Sequence, residues 1–276
     1  MITKNVRKAV FPVAGWGTRF LPVTKTIPKE LIPILNKPLI QYAAEEAIEA
    51  GIDTLIFITG RNKRAIEDHF DANKELEDVL EKNGKSEEVN DLLNVLPSGV
   101  ECIFVRQKEQ LGLGHAVSCA ERIIGDEPFA VLLADDFLPS KSINVTIDLI
   151  KGYNVSGNIQ LAVMEVNGPD ISNYGVIKLD ESLGKVEALV EKPDFSKAPS
   201  NLASIGRYVL TPDIFRVLKN LPVGKNREIQ LADAISVLCA EGSVEIVGMK
   251  SKRFDCGSVK GYLEANLFVG KQKGWL

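Results

Sequence analysis

Apolar positions along the chain change period several times, and each change marks an element. Four short runs are apolar almost without a break: Val10–Val13, "TLIFIT" at 54–59, "ECIFVR" at 101–106 and "FAVLLA" at 129–134. All four predict strands: the first is short and buried, and the wholly apolar "TLIFIT" implies cover on both faces, as in the middle of a parallel sheet. Between the first two, Leu39, Ile40, Ala43, Ala44, Ala47 and Ile48 fall on one helical face. Pro38 suits the first turn of that helix and Gly51 stops it, so the spacing predicts a helix from Pro38 to Ala50. Residues 62–82 are charged and helical, and "GHAVSCAERII" (114–124) predicts another helix. The stretch 83–99 is polar with weak periodicity and predicts no regular element. Strands alternating with helices in this way give a doubly wound sheet.

After about residue 150 the rhythm changes. "NIQLAVMEV", "YGVIKLD", "KVEALVEKP" and "LASIGRYVL" are four strand-like runs separated only by turns or short loops. They predict hairpins or a mixed sheet attached to the parallel one. "DIFRVLKNL", "EIQLADAISVLCAEG" and "SVKGYLEANLFVGKQ" then read as helices. No repeat, low-complexity tract or linker interrupts the chain, which favours one domain with two lobes over two independent domains.

Composition narrows the chemistry. With 276 residues, 45 % of them apolar and 25 % charged, the chain can bury a large core. Its net charge is −4 and no basic block stands out, so nucleic acid is a poor partner. No stretch reaches the roughly 18–20 apolar residues of a membrane span, and the N-terminal apolar run is too short for a secretion signal. Cys102, Cys119, Cys239 and Cys256 are far apart with no C-x-x-C pair. That argues against a disulfide framework or zinc site and for a reducing, cytoplasmic setting. Only two histidines are present, and no Ser/His/Asp or Cys/His set can be assembled.

The first strand leads into "AGWGTRFLPVTKTIPKEL". A dinucleotide loop needs G-x-G-x-x-G, but Phe20 stands at the third glycine position and Pro22 follows; a Walker loop is absent. The local chemistry still suits an anion. Gly15 and Gly17 let backbone N–H groups approach a ligand, Arg19 carries a planar fork for phosphate oxygens, and Lys25 and Lys29 add charge. The competing reading is a glycine turn before a solvated basic loop, with Lys29 paired to Glu30. Farther on, "LLADD" ends a buried strand on Asp135 and Asp136. Ligands of such sheets sit at the carboxyl ends of strands, and two hard oxygen donors suit magnesium. Asp136 could instead cap the following turn.

"AGWGTRFLPVTKTIPKELIPILNKPLIQY" resembles the signature of the sugar-1-phosphate nucleotidyltransferases, and within them the bacterial UTP–glucose-1-phosphate uridylyltransferases. "VRQKEQLGLGHAV", "DEPFAVLLADD", "YGVI", "VEKP", "PSNLASIGRYVL", "EIQLADAI" and "DCGSVKGYLEA" extend the match in family order over nearly the whole chain. The resemblance implies an α/β fold: a Rossmann-like, mixed and mainly parallel twisted sheet flanked by helices, with an added β-rich sugar-binding lobe. It implies a single nucleotidyltransferase domain over 1–276. About 1–150 would be the nucleotide-binding half and about 151–276 the sugar-binding and C-terminal helical part. The implied reaction converts UTP and glucose 1-phosphate to UDP-glucose and pyrophosphate with Mg2+, by direct attack of the sugar phosphate on the α-phosphate.

The same resemblance assigns roles. Ala14, Gly15, Gly17 and Thr18 would cradle the nucleotide, with Arg19 and Lys29 catalytic. Gln107, Gly112 and Gly114 of "RQKEQLGLGHA" would read the base; the Gln107 amide can both donate to and accept from a pyrimidine edge. His115 reads as a helix-start residue. Gly175, Glu191, Lys192 and Gly206 would bind the sugar phosphate, with Asn173 and Tyr174 as supports. Asp135 and Asp255 would hold the metal, although Asp255 also reads as an N-cap for the helix that follows "DCGS". Trp16 stands where similar loops carry a smaller or aliphatic residue. The family forms homodimers or homotetramers. Three other readings compete: a thymidylyl- or cytidylyltransferase acting on a sugar 1-phosphate, a weakly active regulatory paralogue that binds UDP-glucose, and an NAD-dependent oxidoreductase, which Phe20 disfavours.

Overall fold

The computed structural model of the protein describes residues 4–139, 144–180, 185–224 and 227–276. The first half runs β1 (Lys8–Pro12), β2 (Pro33–Ile34), β3 (Lys37–Pro38), α1 (Leu39–Glu49), β4 (Thr54–Thr59), α2 (Arg64–Phe70), α3 (Lys74–Lys82), α4 (Ser86–Leu93), β5 (Glu101–Arg106), α5 (Leu113–Ser118), α6 (Glu121–Ile124), β6 (Phe129–Leu132), β7 (Asp136–Phe137) and α7 (Val145–Ser156). The second runs β8 (Ile159–Glu165), β9 (Gly175–Asp180), β10 (Lys185–Glu191), β11 (Leu202–Leu210), α8 (Asp213–Asn220), α9 (Leu231–Ala240), β12 (Val244–Gly248), β13 (Phe254–Asp255) and α10 (Val259–Gln272).

The four unbroken apolar runs form a four-stranded parallel part of a nine-stranded sheet, in the order β5-β4-β1-β6. For β1, β4 and β6 the lack of alternation has the expected cause, burial on both faces; β5 is the edge strand, and its apolar residues are only half-buried. Val10, Ile56, Ile58 and Val131 point into one core, against α5, α8 and α9. Ala9, Phe11, Leu55 and Phe57 point into the other, against α1, α2 and α7. In the second core Phe11, Phe57 and Phe104 stack across three neighbouring strands, with ring centroids 4.9 and 5.2 Å apart.

β11 joins the two halves. Arg207–Leu210 pair antiparallel with β6, while Ala203 and Ser204 pair with β9 along the same edge. The opposite edge of β11 pairs with β8, which in turn pairs parallel with β12. The β9–β10 hairpin completes the sheet, so the β-rich second half continues the parallel sheet. A separate two-stranded ribbon pairs β7 with β13 and sets Asp136 opposite Asp255.

Several boundaries differ from the sequence reading. Residues 62–82 form two helices, because Asn73 starts a new one by accepting from the Leu76 N–H at 3.1 Å. The polar stretch 83–99 contains α4, whose Val89 is buried. The helix expected over 114–124 breaks into α5 and α6 at Cys119–Ala120. α7 and β12 carry no expectation from the sequence, and a 3-10 turn at Pro169–Asn173 stands between β8 and β9.

Candidate active site

β1 lies between β6 and β4, so the chain leaves it in one direction for β4 and β5 and returns to the other side for β6. The crevice beyond the carboxyl ends of the strands at such a reversal is where ligands of open α/β sheets bind. Residues 13–31 follow β1 into this crevice without starting a helix. They form three 3-10 turns, Thr18–Phe20, Val23–Lys25 and Lys29–Leu31. Gly17 is left-handed (φ 68°), and a Cβ there would stand 3.1 Å from Lys29 Cβ and 3.2 Å from Thr24 Cγ2. The glycine is therefore required both by its backbone and by the close passage of the returning chain. Thr24 Oγ1 closes the loop by donating to the Gly17 carbonyl at 2.7 Å.

That return delivers Lys29. Its Nζ lies 2.6 Å from Asp135 Oδ2, just beyond β6. Glu30 turns the other way and is 2 % exposed, paired with Lys63 at 2.7 Å. The surface pair between Lys29 and Glu30 is thus replaced by two separate pairs. Burial disfavours the Asp135 carboxylate, but Lys29, a backbone hydrogen bond and Arg19 outweigh it and hold the carboxyl below its ordinary range. Burial likewise works against the Lys29 ammonium, and Asp135 and Glu30 outweigh it and raise its pKa. Both groups are charged at neutral pH. Burial dominates at Glu30 and pushes its carboxyl up, against the opposing pull of Lys63 and Lys29.

Asp255 arrives at the same place from the C-terminal end of the chain. Arg19 Nη1 lies 3.7 Å from Asp255 Oδ2, and the Asp255 Oδ1 accepts from the Gly257 N–H at 3.0 Å. Ser258, not Asp255, caps α10, by accepting from the Gly261 N–H at 3.1 Å. A Cβ on Gly257 would stand 2.8 Å from Arg19 Nη2, 2.8 Å from Asp135 Oδ2 and 3.0 Å from Asp255 Oδ1. Arg19, Lys29, Asp135 and Asp255 therefore surround one small cradle that only glycine leaves open. Among the described residues no three His, Cys, Asp or Glu side chains converge as a complete metal cage. Two carboxylates with an open side match an ion that takes its remaining ligands from water and phosphate.

Beside the cradle a cavity of about 350 Å³ opens between the glycine loop, residues 60–63 beyond β4 and residues 107–110 beyond β5. Lys25, Arg61 and Lys108 line it, together with Lys63, whose ammonium is paired with Glu30, and among the described residues no carboxylate does, a charge pattern that suits a polyanion. Ala14, Gly15, Trp16 and Gln107 also line it, with the Trp16 indole 66 % exposed. The Ala14 carbonyl accepts from Gln110 Nε2 at 2.5 Å. Thr18 is exposed at the start of the first 3-10 turn.

The remaining glycines have neighbours within the chain. A Cβ on Gly112 (φ 93°) would meet the Ile229 carbonyl oxygen at 2.9 Å, and one on Gly114 would meet it at 2.8 Å. Their missing side chains let residues 228–229 pack against the start of α5. Gly206 plays the same part for Asp136, whose Oδ2 accepts from its N–H at 2.6 Å. Gly175 faces Leu189 and Glu191, and it lines a recess of about 50 Å³ together with Glu191. Lys192 follows in the left-handed region (φ 43°), held by its N–H to the Tyr174 carbonyl at 3.0 Å. Its Nζ is 3.4 Å from Glu191 Oε1. A non-glycine residue at this φ is strained, and strain of this kind gathers at ligand sites.

Two arginines that the sequence reading left aside hold this arrangement. Arg253 pairs with Asp136 Oδ1, donates to Tyr174 Oη at 2.7 Å and lies over the Tyr174 ring. Asp136 therefore caps no turn; it anchors Arg253 and β11. Arg207, 2 % exposed, donates to Glu46 and to the carbonyls of Leu133, Gly206 and Asp136. Those carbonyls flank Asp135. A charge inside the otherwise apolar "SIGRYVL" was the available signal, since buried arginine is rare unless paired. Nothing local in the sequence marks Glu30 or Arg253.

The chain belongs to the nucleotidyl transferase family, whose family model matches residues 8–272. It is 47 % identical over 270 residues to a UTP–glucose-1-phosphate uridylyltransferase of Bacillus subtilis (strain 168), covering 97 % of this chain and 90 % of the relative. Among solved structures it is similar to a UTP-bound UGPase from Acinetobacter baumannii (TM-score 0.89, 41 % identity, 97 % of this chain and 94 % of that one). It is also similar to a UDP-glucose pyrophosphorylase complexed with UDP-glucose (TM-score 0.86, 44 % identity, 97 % and 99 %).

Proposed function

We propose that the protein is a UTP–glucose-1-phosphate uridylyltransferase that makes UDP-glucose and pyrophosphate. The observation that carries this reading is the cradle at Gly257, where two cations and two carboxylates from three distant parts of the chain meet beside a cation-lined cavity. The attacking group is a phosphate monoester with a second pKa of about 6, already mostly a dianion at neutral pH. No general base is needed. The thiols offer no alternative nucleophile: Cys256, the nearest, is pushed up to about 12 by burial and by the carboxylates of Asp255, Asp135 and Asp136.

The reaction forms a bond from the sugar-phosphate oxygen to the α-phosphorus and breaks the bond from that phosphorus to the bridging oxygen. Pyrophosphate leaves with the electron pair. The obstacle is repulsion between two polyanions, which the protein meets by alignment and charge. The glycine loop cradles the triphosphate. Arg19 stabilises the leaving pyrophosphate and Lys29 bridges the reacting phosphates. Gln107 meets the base, with Gly112 and Gly114 shaping the turn beside it. Glu191 receives the sugar hydroxyls and Lys192 the sugar phosphate, with Gly175 and Gly206 along the sugar pocket. Asp135 and Asp255 fit Mg2+, which when bound withdraws charge from the α-phosphate.

We assign the whole chain to one nucleotidyltransferase domain with a nucleotide half and a sugar half, working in the reducing cytoplasm. Homodimers or homotetramers have a surface available: Val259, Leu263 and Leu267 lie four residues apart along α10 and are each more than 40 % exposed. The deciding experiment measures pyrophosphate release by the purified chain with glucose 1-phosphate and Mg2+, comparing UTP, dTTP and CTP. UTP should be preferred, and Asp135→Ala should nearly abolish release while the protein stays folded. No release at any magnesium concentration, or a clear preference for dTTP, would refute the assignment.

A further inference from the structure

Gln107 is 6 % exposed and lines the 350 Å³ cavity. Its N–H donates to the Thr59 carbonyl at 2.8 Å, which fixes the backbone at the end of β5. The side-chain Nε2 lies 3.2 Å from the Gly112 carbonyl oxygen and 2.9 Å from His115 Nδ1. A primary amide carries two N–H donors, and with the His115 ring proton on Nε2 these two acceptors use both. Among the described residues Oε1 receives no hydrogen bond, and it is not among the sealed, unpartnered atoms of the interior. The amide thus has an acceptor and no donor left for a ligand in the cavity that Gln107 lines.

The His115 ring is well placed to enforce this. It projects from α5, whose first turn is tied down by the Gly114 N–H to the Ile229 carbonyl (2.8 Å) and the Ile229 N–H to the Leu111 carbonyl (2.7 Å). Nδ1 accepts from the amide when the ring proton is on Nε2. Rotating the amide by half a turn would place Oε1 against two acceptors, Nδ1 and the Gly112 carbonyl.

The geometry points to His115 as the positioning residue that sets base selectivity, by locking the Gln107 amide so that only bases with a donor N3–H are accepted. Uracil and thymine carry that proton; cytosine presents a lone pair at N3 and would meet Oε1 acceptor to acceptor. The inference rests on the reading above that Gln107 meets the base edge. It separates uracil from cytosine and leaves the 5-methyl group of thymine to other contacts.

The test is the ratio of kcat/KM for UTP to that for CTP, measured by pyrophosphate release in wild type, His115→Phe, His115→Asn, Gln107→Ala and the Gln107→Ala/His115→Phe double variant. His115→Phe should lower the ratio about tenfold, with KM for glucose 1-phosphate and Tm near wild type. His115→Leu replaces it if phenylalanine lowers Tm. His115→Asn, which can present Oδ1 in place of Nδ1, should keep the ratio within about threefold of wild type. The double variant should discriminate no worse than Gln107→Ala alone, because His115 acts only through the amide. A ratio unchanged in Gln107→Ala would remove Gln107 from the base site, and the reading beneath with it. A ratio lowered in Gln107→Ala but unchanged in His115→Phe, or lowered by His115→Phe equally in both backgrounds, would overturn the positioning role alone.

Discussion

Arg207→Met tests whether the site is held in place from behind. Arg207 is 2 % exposed and uses every N–H group: Nε reaches both Glu46 oxygens at 3.0 Å, Nη2 reaches Glu46 Oε2 at 2.8 Å and the Asp136 carbonyl at 2.9 Å, and Nη1 reaches the carbonyls of Leu133 and Gly206 at 2.9 Å. Methionine fills much of the volume and supplies none of these donors. Among the described residues the Glu46 carboxylate, 12 % exposed, would keep only the Thr146 hydroxyl at 2.7 Å. Stranding one charge of a buried pair costs about 3–5 kcal/mol, which for a chain of this size lowers Tm by roughly 6–20 °C. The double variant Glu46→Leu/Arg207→Met removes the stranded charge, and apolar replacement of a buried pair is often neutral, so most of the lost Tm should return. Activity should not return with it. The carbonyls flanking Asp135 still lack their donors, and misplacement by about 1 Å can cost on the order of 100-fold in rate. Differential scanning calorimetry and pyrophosphate release well below Tm read the two effects separately. A Tm drop below about 2 °C in the single variant would deny the pair any energetic weight. A double variant with the wild-type rate would reduce Arg207 to a counter-ion for Glu46.

Three further outcomes follow from the same geometry. Gly257→Ala should stay folded, because this glycine has no positive φ, yet lose nearly all activity, because the methyl carbon falls 2.8 Å from both Arg19 Nη2 and Asp135 Oδ2; a near-normal rate with Mg2+ would show that the cradle is not used. Lys192→Ala should raise KM for glucose 1-phosphate about tenfold or more with little change in KM for UTP, and equal KM values for both substrates would remove Lys192 from the sugar-phosphate end. The third concerns pH. The folded pKa of Asp135 lies below its unfolded value, so its stabilisation in the metal-free protein is complete above the ordinary carboxylate pKa of about 3.9 and is lost as pH falls through the folded value. The stability gap between wild type and Asp135→Asn in urea should therefore close below about pH 4, and a gap constant down to pH 3 would contradict the Lys29–Asp135 pairing.

The parallel half of the sheet was legible because β1, β4 and β6 are buried on both faces, and burial writes itself as unbroken apolar residues; β5 carries a similar apolar run although it is only half-buried at the sheet edge. β12 was not: in "VEIVG" Glu245 faces Asn158 and Gln160 and interrupts the run. α4 has one buried residue, Val89, among eight, too little for a periodic stripe. At the site the charged residues could be picked out, because a reacting polyanion needs cations and carboxylates and they stand near glycines and strand ends. The supports could not. Arg207, Glu46, Arg253 and Tyr174 come from β11, α1, the loop before β13 and the turn before β9, and only the folded chain brings them together. His115 was visible as a residue but not as a partner, because its contact with Gln107 depends on where the turn through Gly112 places the ring.

The absent third glycine of the loop now has a physical reason. In a dinucleotide fold that glycine lets a helix begin close to the sheet, and the helix N-terminus supplies the positive field for the pyrophosphate. Here the position is Phe20, 9 % exposed, with its ring edge-on to Tyr262 of α10 at 5.8 Å. The chain turns there in 3-10 geometry and no α-helix follows the glycine loop. Positive charge has to come from side chains, and Arg19 and Lys29 supply it on either side of the buried Phe20. The same helix also fixes the acidic side of the cradle: a Cβ on Gly261 would stand 2.2 Å from the Asp255 carbonyl oxygen, so the first turn of α10 packs directly on Asp255. One helix thus fixes Phe20 next to Arg19 and the backbone of Asp255, two groups more than 230 residues apart in sequence. The aromatic side chain that breaks the dinucleotide fingerprint is what ties the glycine loop to the helix that packs on its counter-charge, Asp255.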